Sequence, residues 1–294
     1  MIETTERVVA PGTTSAGVMP MQDVGFGMIF RQTLRDNVTG ILTWGIGYSA
    51  LIALVVLLYP ILESNNTLLG VVRGLGLLGG ANNALNPQNL ASFGGYLSVE
   101  ALTWAPLVLS VYVIPQALNA VAREEERGTL DILLSTPLPR WRLLTEKAMA
   151  IVVSVLAILG IMLLTLIVTT QATEGVDFPI SLAVAGIWHI FPILLAILAA
   201  ALLLSVTVRS SRAAGGWAAL FVVGSYFVRA LGDLYGNGVD WLHTLSQFSI
   251  FGYYRSITVL NRGVQWNLDL PLLVTAAVLF VLALIQFRRR DIGV

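Results

Sequence analysis

The sequence has 294 residues, of which 56% are hydrophobic and 12% are charged, with no net charge and a mean hydropathy of +0.80. A soluble domain carries about 25% charged residues, so too few polar residues are present to cover this chain in water. The composition therefore predicts an all-α integral membrane protein. Zero net charge indicates no nucleic-acid partner, and the absence of cysteine excludes disulfides, a thiolate nucleophile and a Cys-ligated metal.

The N-terminal region divides into a tail and an amphipathic segment. Residues 1–23 contain no long apolar run, so we expect a flexible tail rather than a signal peptide, followed by a single transmembrane domain over 24–294. Within 24–40, apolar residues recur at helical spacing, and Arg31 and Arg35 are offset from them. This pattern favours an interfacial "elbow" helix on the inner leaflet over an ordinary juxtamembrane loop.

Six stretches are long and apolar enough to cross a bilayer as helices, which takes about 20 residues each. They cover about 41–62, 98–121, 148–171, 180–208, 213–231 and 270–287. With both termini in the cytoplasm, 13 of the 17 Lys and Arg residues lie on the cytoplasmic side. The positive-inside rule therefore favours this orientation.

The connection at 232–269, before the last span, is unusually aromatic for a solvated loop. Its rings are those of Trp241, Phe248, Phe251, Tyr253, Tyr254 and Trp266. Aromatic rings are enriched at membrane interfaces, so we expect a re-entrant segment that dips into the outer interface.

Motifs for catalysis are incomplete in this sequence. Gly74, Gly76 and Gly79 match G-x-G-x-x-G, but they lie between spans rather than between a strand and a helix. The single lysine, Lys147, is followed by Ala148, so no P-loop is present. Paired-Glu and H-E-x-x-H hydrolase patterns are also incomplete. We therefore expect no enzyme activity, no metal and no cofactor in this chain.

The most polar stretch is REEERGTLDILLSTPLPRWRLLTEK, residues 123–147, in which ten of 25 residues are charged. We expect the second span to continue into it as a helix that Pro137 and Pro139 end. A second short helix, about 139–147, would then present Trp141 between two arginines. The residues alone leave two interpretations open: a docking surface, or a juxtamembrane loop with an interfacial tryptophan.

This stretch resembles the E-x-G-T-L-[DE]-x-L-L-S-[TS]-P-[LV]-x-R hallmark of membrane permeases of ATP-binding-cassette (ABC) exporters, the second (drug and polysaccharide export) superfamily. The resemblance implies that the hairpin docks on a separate ATPase, with Arg123–Leu134 as connecting helix and Leu138–Leu144 as coupling helix. The coupling residues it implies are Glu126, Gly128, Thr129, Asp131, Pro137, Pro139, Arg140, Trp141 and Arg142.

The resemblance further implies a permease subunit of the plasma membrane that works by alternating access, with both termini cytoplasmic. Its partners would be the cytoplasmic ATPase, which binds ATP and Mg²⁺, a second permease copy or paralogue, and the lipid bilayer. A competing interpretation is a non-transport membrane scaffold that holds a cytoplasmic partner through the same hairpin. The cargo stays open among drug, lipid, peptide and ion.

Polar residues inside spans are candidates for a substrate path. Asn119 is placed at the inner mouth. Glu100 either contributes to the path or snorkels from a helix end. His189 is either a hydrogen-bonded interior histidine or a proton relay.

Overall fold

The computed structural model describes residues 27–64, 92–122, 140–208, 210–235 and 240–289. Its regular elements over these residues are helices. In chain order they are α1 (Met28–Asp36), α2 (Val38–Ser64), α3 (Phe93–Leu97), a π-helix (Ser98–Leu102), α4 (Ala105–Ala120), α5 (Arg140–Ala172), α6 (Ile180–Thr207), α7 (Ser211–Tyr235), α8 (Asp240–Gln247), a 3-10 turn (Ile250–Gly252), α9 (Ser256–Arg262) and α10 (Trp266–Arg289).

Six of these helical stretches are long and apolar enough to cross a membrane, and they lie at the six predicted places. They are α2, α3 through α4, α5, α6, α7 and α10. The central one is α6. In its most apolar stretch 78% of the residues are buried, compared with 17% in the corresponding stretch of α7. It packs against α4, α5, α7, α9 and α10, so most of the core is built around it.

Each end of the helical bundle is named after the chain segment that lies there. The hairpin end is where α4 ends and α5 begins, on either side of residues 123–139. The far end is the opposite one, where α2 ends and where residues 240–262, called the far-end segment, connect α7 to α10. The far-end segment corresponds to the predicted aromatic connection, and it contains two short α-helices and a 3-10 turn.

The start of the third span differs from the prediction. We expected a short helix at about 139–147 and a separate span at 148–171, whereas α5 runs without a break from Arg140 to Ala172. The reason is local: residues 140–159 contain neither proline nor glycine, so nothing in the backbone interrupts the helix. Residues 140–147 are therefore rigidly continuous with the third span.

The boundary between the first two helices lies earlier than predicted. We expected an interfacial helix within 24–40 and a span from about 41, whereas α1 ends at Asp36, Asn37 caps it with a backbone N–H that bonds to Thr33 O, and α2 begins at Val38. The Asn37 amide donates to Ser154 Oγ of α5 at 3.4 Å. This contact fixes the corner between α1 and α2 against the third span.

The second span contains a π-helix in which Thr103 N–H donates to Ser98 O at 2.8 Å, five residues back. The next turn contains Pro106, which has no N–H to give to Leu102 O. The Tyr254 hydroxyl donates to this carbonyl instead, at 2.6 Å. The irregular backbone thus provides an acceptor that attaches the far-end segment to the second span.

Candidate functional site

Most of the predicted coupling hairpin, residues 123–139, lies outside the described residues. This part includes six of the implied coupling residues: Glu126, Gly128, Thr129, Asp131, Pro137 and Pro139. The structure does describe both stems of the hairpin, which are the end of α4 with residues 121–122 and the start of α5 at Arg140. The candidate site therefore consists of these two stems and the residues that contact them.

The first turn of α5 combines an exposed aromatic ring with a fixed cation. Trp141 is 41% exposed, although a large apolar ring is normally buried when a core is available to it. The next residue is Arg142, whose Nε donates to Glu146 Oε1, one turn further along the helix, at 2.8 Å; this (i, i+4) spacing favours such pairs. The stem therefore presents an aromatic surface beside an arginine whose orientation is held.

Glu146 connects α5, the helix of the third span, to α1. Its carboxylate is 3% exposed, and its Oε2 accepts from the Phe30 backbone N–H at 3.2 Å. α1 starts after Gly27, which adopts a left-handed φ of 91° and has no side chain to cap the helix. The carboxylate from α5 thus performs the role of the missing N-cap and is stabilised by the positive end of the helix.

Lys147 connects the two stems of the hairpin to each other. Its ammonium group is buried, and Nζ donates to Ala120 O in the last turn of α4 at 3.0 Å. Cations are favoured at this position because the last carbonyls of a helix form its negative end. Two residues beyond α4, Ala122 N–H donates to Ser205 Oγ of α6 at 3.2 Å.

Together these contacts form a junction of four helices at the hairpin end. Three helices and the elbow meet there: α4 through Ala120, α5 through Glu146 and Lys147, α6 through Ser205, and α1 through Phe30. Within the described ranges, no group of three or more His, Cys, Asp or Glu residues could hold a metal ion.

The candidate substrate-path residues are divided between the two ends of the bundle. Glu100 lies in the π-helix, with Oε1 buried and without a hydrogen-bond partner among the described residues. Asn119 lies half-buried near the hairpin end of the same span. At 1.5 Å per helical residue the two are about 28 Å apart, so they do not form one site.

His189 is completely buried in α6, and both ring nitrogens have partners. Nδ1 lies 2.5 Å from Asp269 Oδ1 of α10, and Nε2 accepts from the Arg255 backbone N–H at 3.0 Å. The Tyr254 ring stacks on the imidazole, with centroids 4.9 Å apart and planes 11° apart. This arrangement favours the interior, hydrogen-bonded alternative for His189.

Sequence reasoning missed four residues that position these contacts: Glu146, Lys147, Ser205 and Asp269. A signal existed for three of them. Glu146 and Lys147 are charged residues that directly precede a long apolar run. Asp269 lies at the start of the last span in the same manner. A serine in an apolar span, by contrast, gives no sequence signal of its role.

The comparisons with known proteins agree with this architecture. The family model described as "ABC-2 family transporter protein" matches residues 28–292, which is most of the chain. A search of curated proteins found no match. Membrane proteins of this family are non-catalytic subunits of ABC transporters and generally pair with ABC ATPases. Because the match starts in the elbow helix, spans all six apolar helices and confirms the resemblance carried by the hairpin motif, the chain belongs to the ABC-2 family of transporter proteins.

Proposed function

We propose that the chain is the permease of an ABC exporter, in which a separate ATPase grips the hairpin at 123–144 and drives alternating access. The observation that carries the proposal is the junction at the hairpin end. Lys147 bonds one stem to the other through Ala120 O, and Ala122 bonds to Ser205 of the central helix. A partner that moves the hairpin therefore moves α4, α5 and α6 together.

The exposed ring of Trp141 supports docking on a protein partner. Tryptophan and arginine are the residues most enriched in binding hot spots, and Trp141 stands 41% exposed beside Arg142. The Arg142–Glu146 ion pair holds this arginine against the stem. The predicted coupling surface thus continues from the hairpin onto a rigid helix rather than ending in a loop.

The working unit that we propose contains two permease chains, identical or paralogous, and two ATPase subunits. ATP and Mg²⁺ bind in the ATPase subunits. Moving a two-state equilibrium from 1:99 to 99:1 takes about 5.5 kcal/mol, and ATP-driven closure of the ATPases would supply it through the hairpins. The location is the plasma membrane with both termini cytoplasmic, in line with the 13 of 17 basic residues on that side.

Within this unit, Glu100 and Asn119 are proposed as residues of the substrate path. Glu100 presents a buried carboxylate oxygen without a partner among the described residues, and such a group inside a span favours contact with a polar or cationic cargo. Glu100→Gln should then change the rate of transport while ATPase binding is unchanged. Equal transport by the variant and the wild type would remove Glu100 from the path.

The coupling proposal is tested by co-expressing the chain with an ABC ATPase and measuring how much ATPase co-purifies with it. Trp141→Ala should weaken ATPase binding about tenfold, a typical loss for an exposed anchor residue, and should reduce transport in parallel. Arg140→Glu should do the same by reversing a charge on the stem. The matched control is Trp241→Ala, which removes an exposed tryptophan (68%) from the far-end segment and should leave ATPase binding unchanged.

Two outcomes would count against the proposal. Normal ATPase binding and transport in both stem variants would remove the stem from coupling. Partner binding through the hairpin without ATP-dependent movement of any cargo would favour the scaffold interpretation instead.

A further inference from the structure

The hydrogen bonds around His189 define its protonation state. The Arg255 backbone N–H can only donate, so Nε2 of His189 must present its lone pair, at a distance of 3.0 Å. The proton of the neutral ring is then on Nδ1, which faces Asp269 Oδ1 at 2.5 Å. In this state the imidazole holds α10 with one nitrogen and the far-end segment with the other.

The partner of His189 carries an unmatched oxygen. Asp269 lies in the first turn of α10. Its side chain is 1% exposed, and Oδ2 has no hydrogen-bond partner among the described residues. A neutral imidazole therefore leaves one net negative charge buried in the pair, and burying an unpaired charge is costly. One more proton would neutralise the pair.

Other titratable or charged residues also lie at this end of the bundle. They are Tyr48, Tyr96, Glu100, Tyr226, Arg229, Asp233, Tyr253, Tyr254, Arg255 and Arg262. Burial raises the pKa of Tyr254 well above its ordinary value, so its hydroxyl stays protonated. The Arg255 guanidinium donates to Gly252 O, and Arg229 pairs with Asp233.

We infer that His189 and Asp269 form a proton-binding latch, which holds the Arg255 backbone on α6 while the imidazole is neutral and releases it when Nε2 is protonated. The step takes up one proton from water. Protonated Nε2 can no longer accept from the Arg255 N–H, so that hydrogen bond breaks and two N–H groups face each other. The bond from Nδ1 to Asp269 becomes an ion pair and is retained. The segment around Arg255 then loosens from α6, although Tyr254 still donates to Leu102 O and Ser256 still bonds to Ser98, and α6 and α10 stay joined.

The structure shows which contacts the released segment would expose. Val259 of α9 is 1% exposed and packs against Ala185 of α6 and Leu268 of α10. Leu260 packs against α6 at Gly186, where an added Cβ would lie 2.6 Å from the leucine side chain. Arg255 lies four residues before Val259. When Arg255 is released from His189, the start of α9 should loosen and Val259 should become more exposed.

The test uses the absence of cysteine from the sequence. Val259→Cys places a thiol at the buried contact, and Phe248→Cys places one at an 81% exposed position of the same segment. The purified full chain, in lipid nanodiscs without ATPase, is labelled with a membrane-impermeant maleimide at about pH 8 and about pH 5, the interval in which histidine changes charge. The rate for Val259→Cys is divided by that for Phe248→Cys to remove the pH dependence of the thiol reaction.

The latch predicts that this ratio rises about tenfold in acid, the effect of losing one buried hydrogen bond. His189→Gln, whose amide can donate to Asp269 and accept from Arg255 but cannot take up a proton, should abolish the rise. His243→Gln removes the only other histidine of the sequence and should retain it. A ratio that is the same at both pH values, or a rise that persists in His189→Gln, would overturn the inference.

Hydrogen exchange on the unsubstituted chain provides a second measurement if Val259→Cys does not assemble. The peptide that contains Arg255 should lose protection in acid after correction for the intrinsic pH dependence of exchange, and His189→Gln should remove the loss. Unchanged corrected protection would contradict the latch. Neither measurement needs an ATPase or a cargo, so failure of the latch and failure of the coupling proposal are distinguishable.

Discussion

A carboxylate from the third span caps the start of α1, so Glu146→Ala should loosen this helix. The substitution removes the acceptor of Phe30 N–H (3.2 Å) and the ion pair with Arg142 (2.8 Å). Hydrogen bonds to a charged group are worth about 1.5–3 kcal/mol each, but Arg142 is partly exposed and regains water. We therefore expect a net loss of about 2 kcal/mol in the attachment of α1, or about 30-fold in its hydrogen-exchange protection.

The assay is hydrogen exchange of the peptide that covers Met28–Asp36, measured in nanodiscs. Glu146→Gln should have an intermediate effect, because the amide oxygen still accepts from Phe30 but no longer pairs as an ion with Arg142. Glu174→Ala removes an exposed carboxylate near the end of α5 and should change nothing in α1. Wild-type protection of α1 in Glu146→Ala would refute the claim that this carboxylate caps the helix.

Three further substitutions test the packing. Lys147→Met removes the ammonium that bonds to the end of α4 and should lower the unfolding free energy by about 1–3 kcal/mol in a thermal melt; an unchanged melting temperature would contradict the junction. Gly186→Val should clash with Leu260 and cost about 1–3 kcal/mol by the same melt, whereas Gly216→Val, with open space around its Cβ, should be close to neutral. Tyr254→Phe removes the hydroxyl that bonds to the second span and should cost about 1 kcal/mol; equal stability to wild type would show that water replaces it.

Hydropathy was a sufficient guide to the number and approximate places of the apolar helices, because each span must satisfy its own backbone in lipid. It was a poorer guide to their ends. The helix of the third span starts at Arg140 rather than at 148, because neither proline nor glycine interrupts its polar first turns. The charges of these turns have partners: Arg142 pairs with Glu146, and Lys147 donates to Ala120 O. Charged residues lower hydropathy, so a hydropathy window ends before the helix does.

The sequence by itself determined that this is a membrane chain, how many apolar helices it has and which hairpin motif it carries, because these properties depend on neighbouring residues only. The tertiary structure alone decided which polar groups meet. Phe30 and Glu146 are 116 residues apart, and His189 and Asp269 are 80 apart. Each of these groups, taken alone, is only an isolated polar residue near the end or in the interior of an apolar helix. Its partner is chosen by how the helices pack, since a buried polar group must find its hydrogen bond wherever the fold brings one within reach.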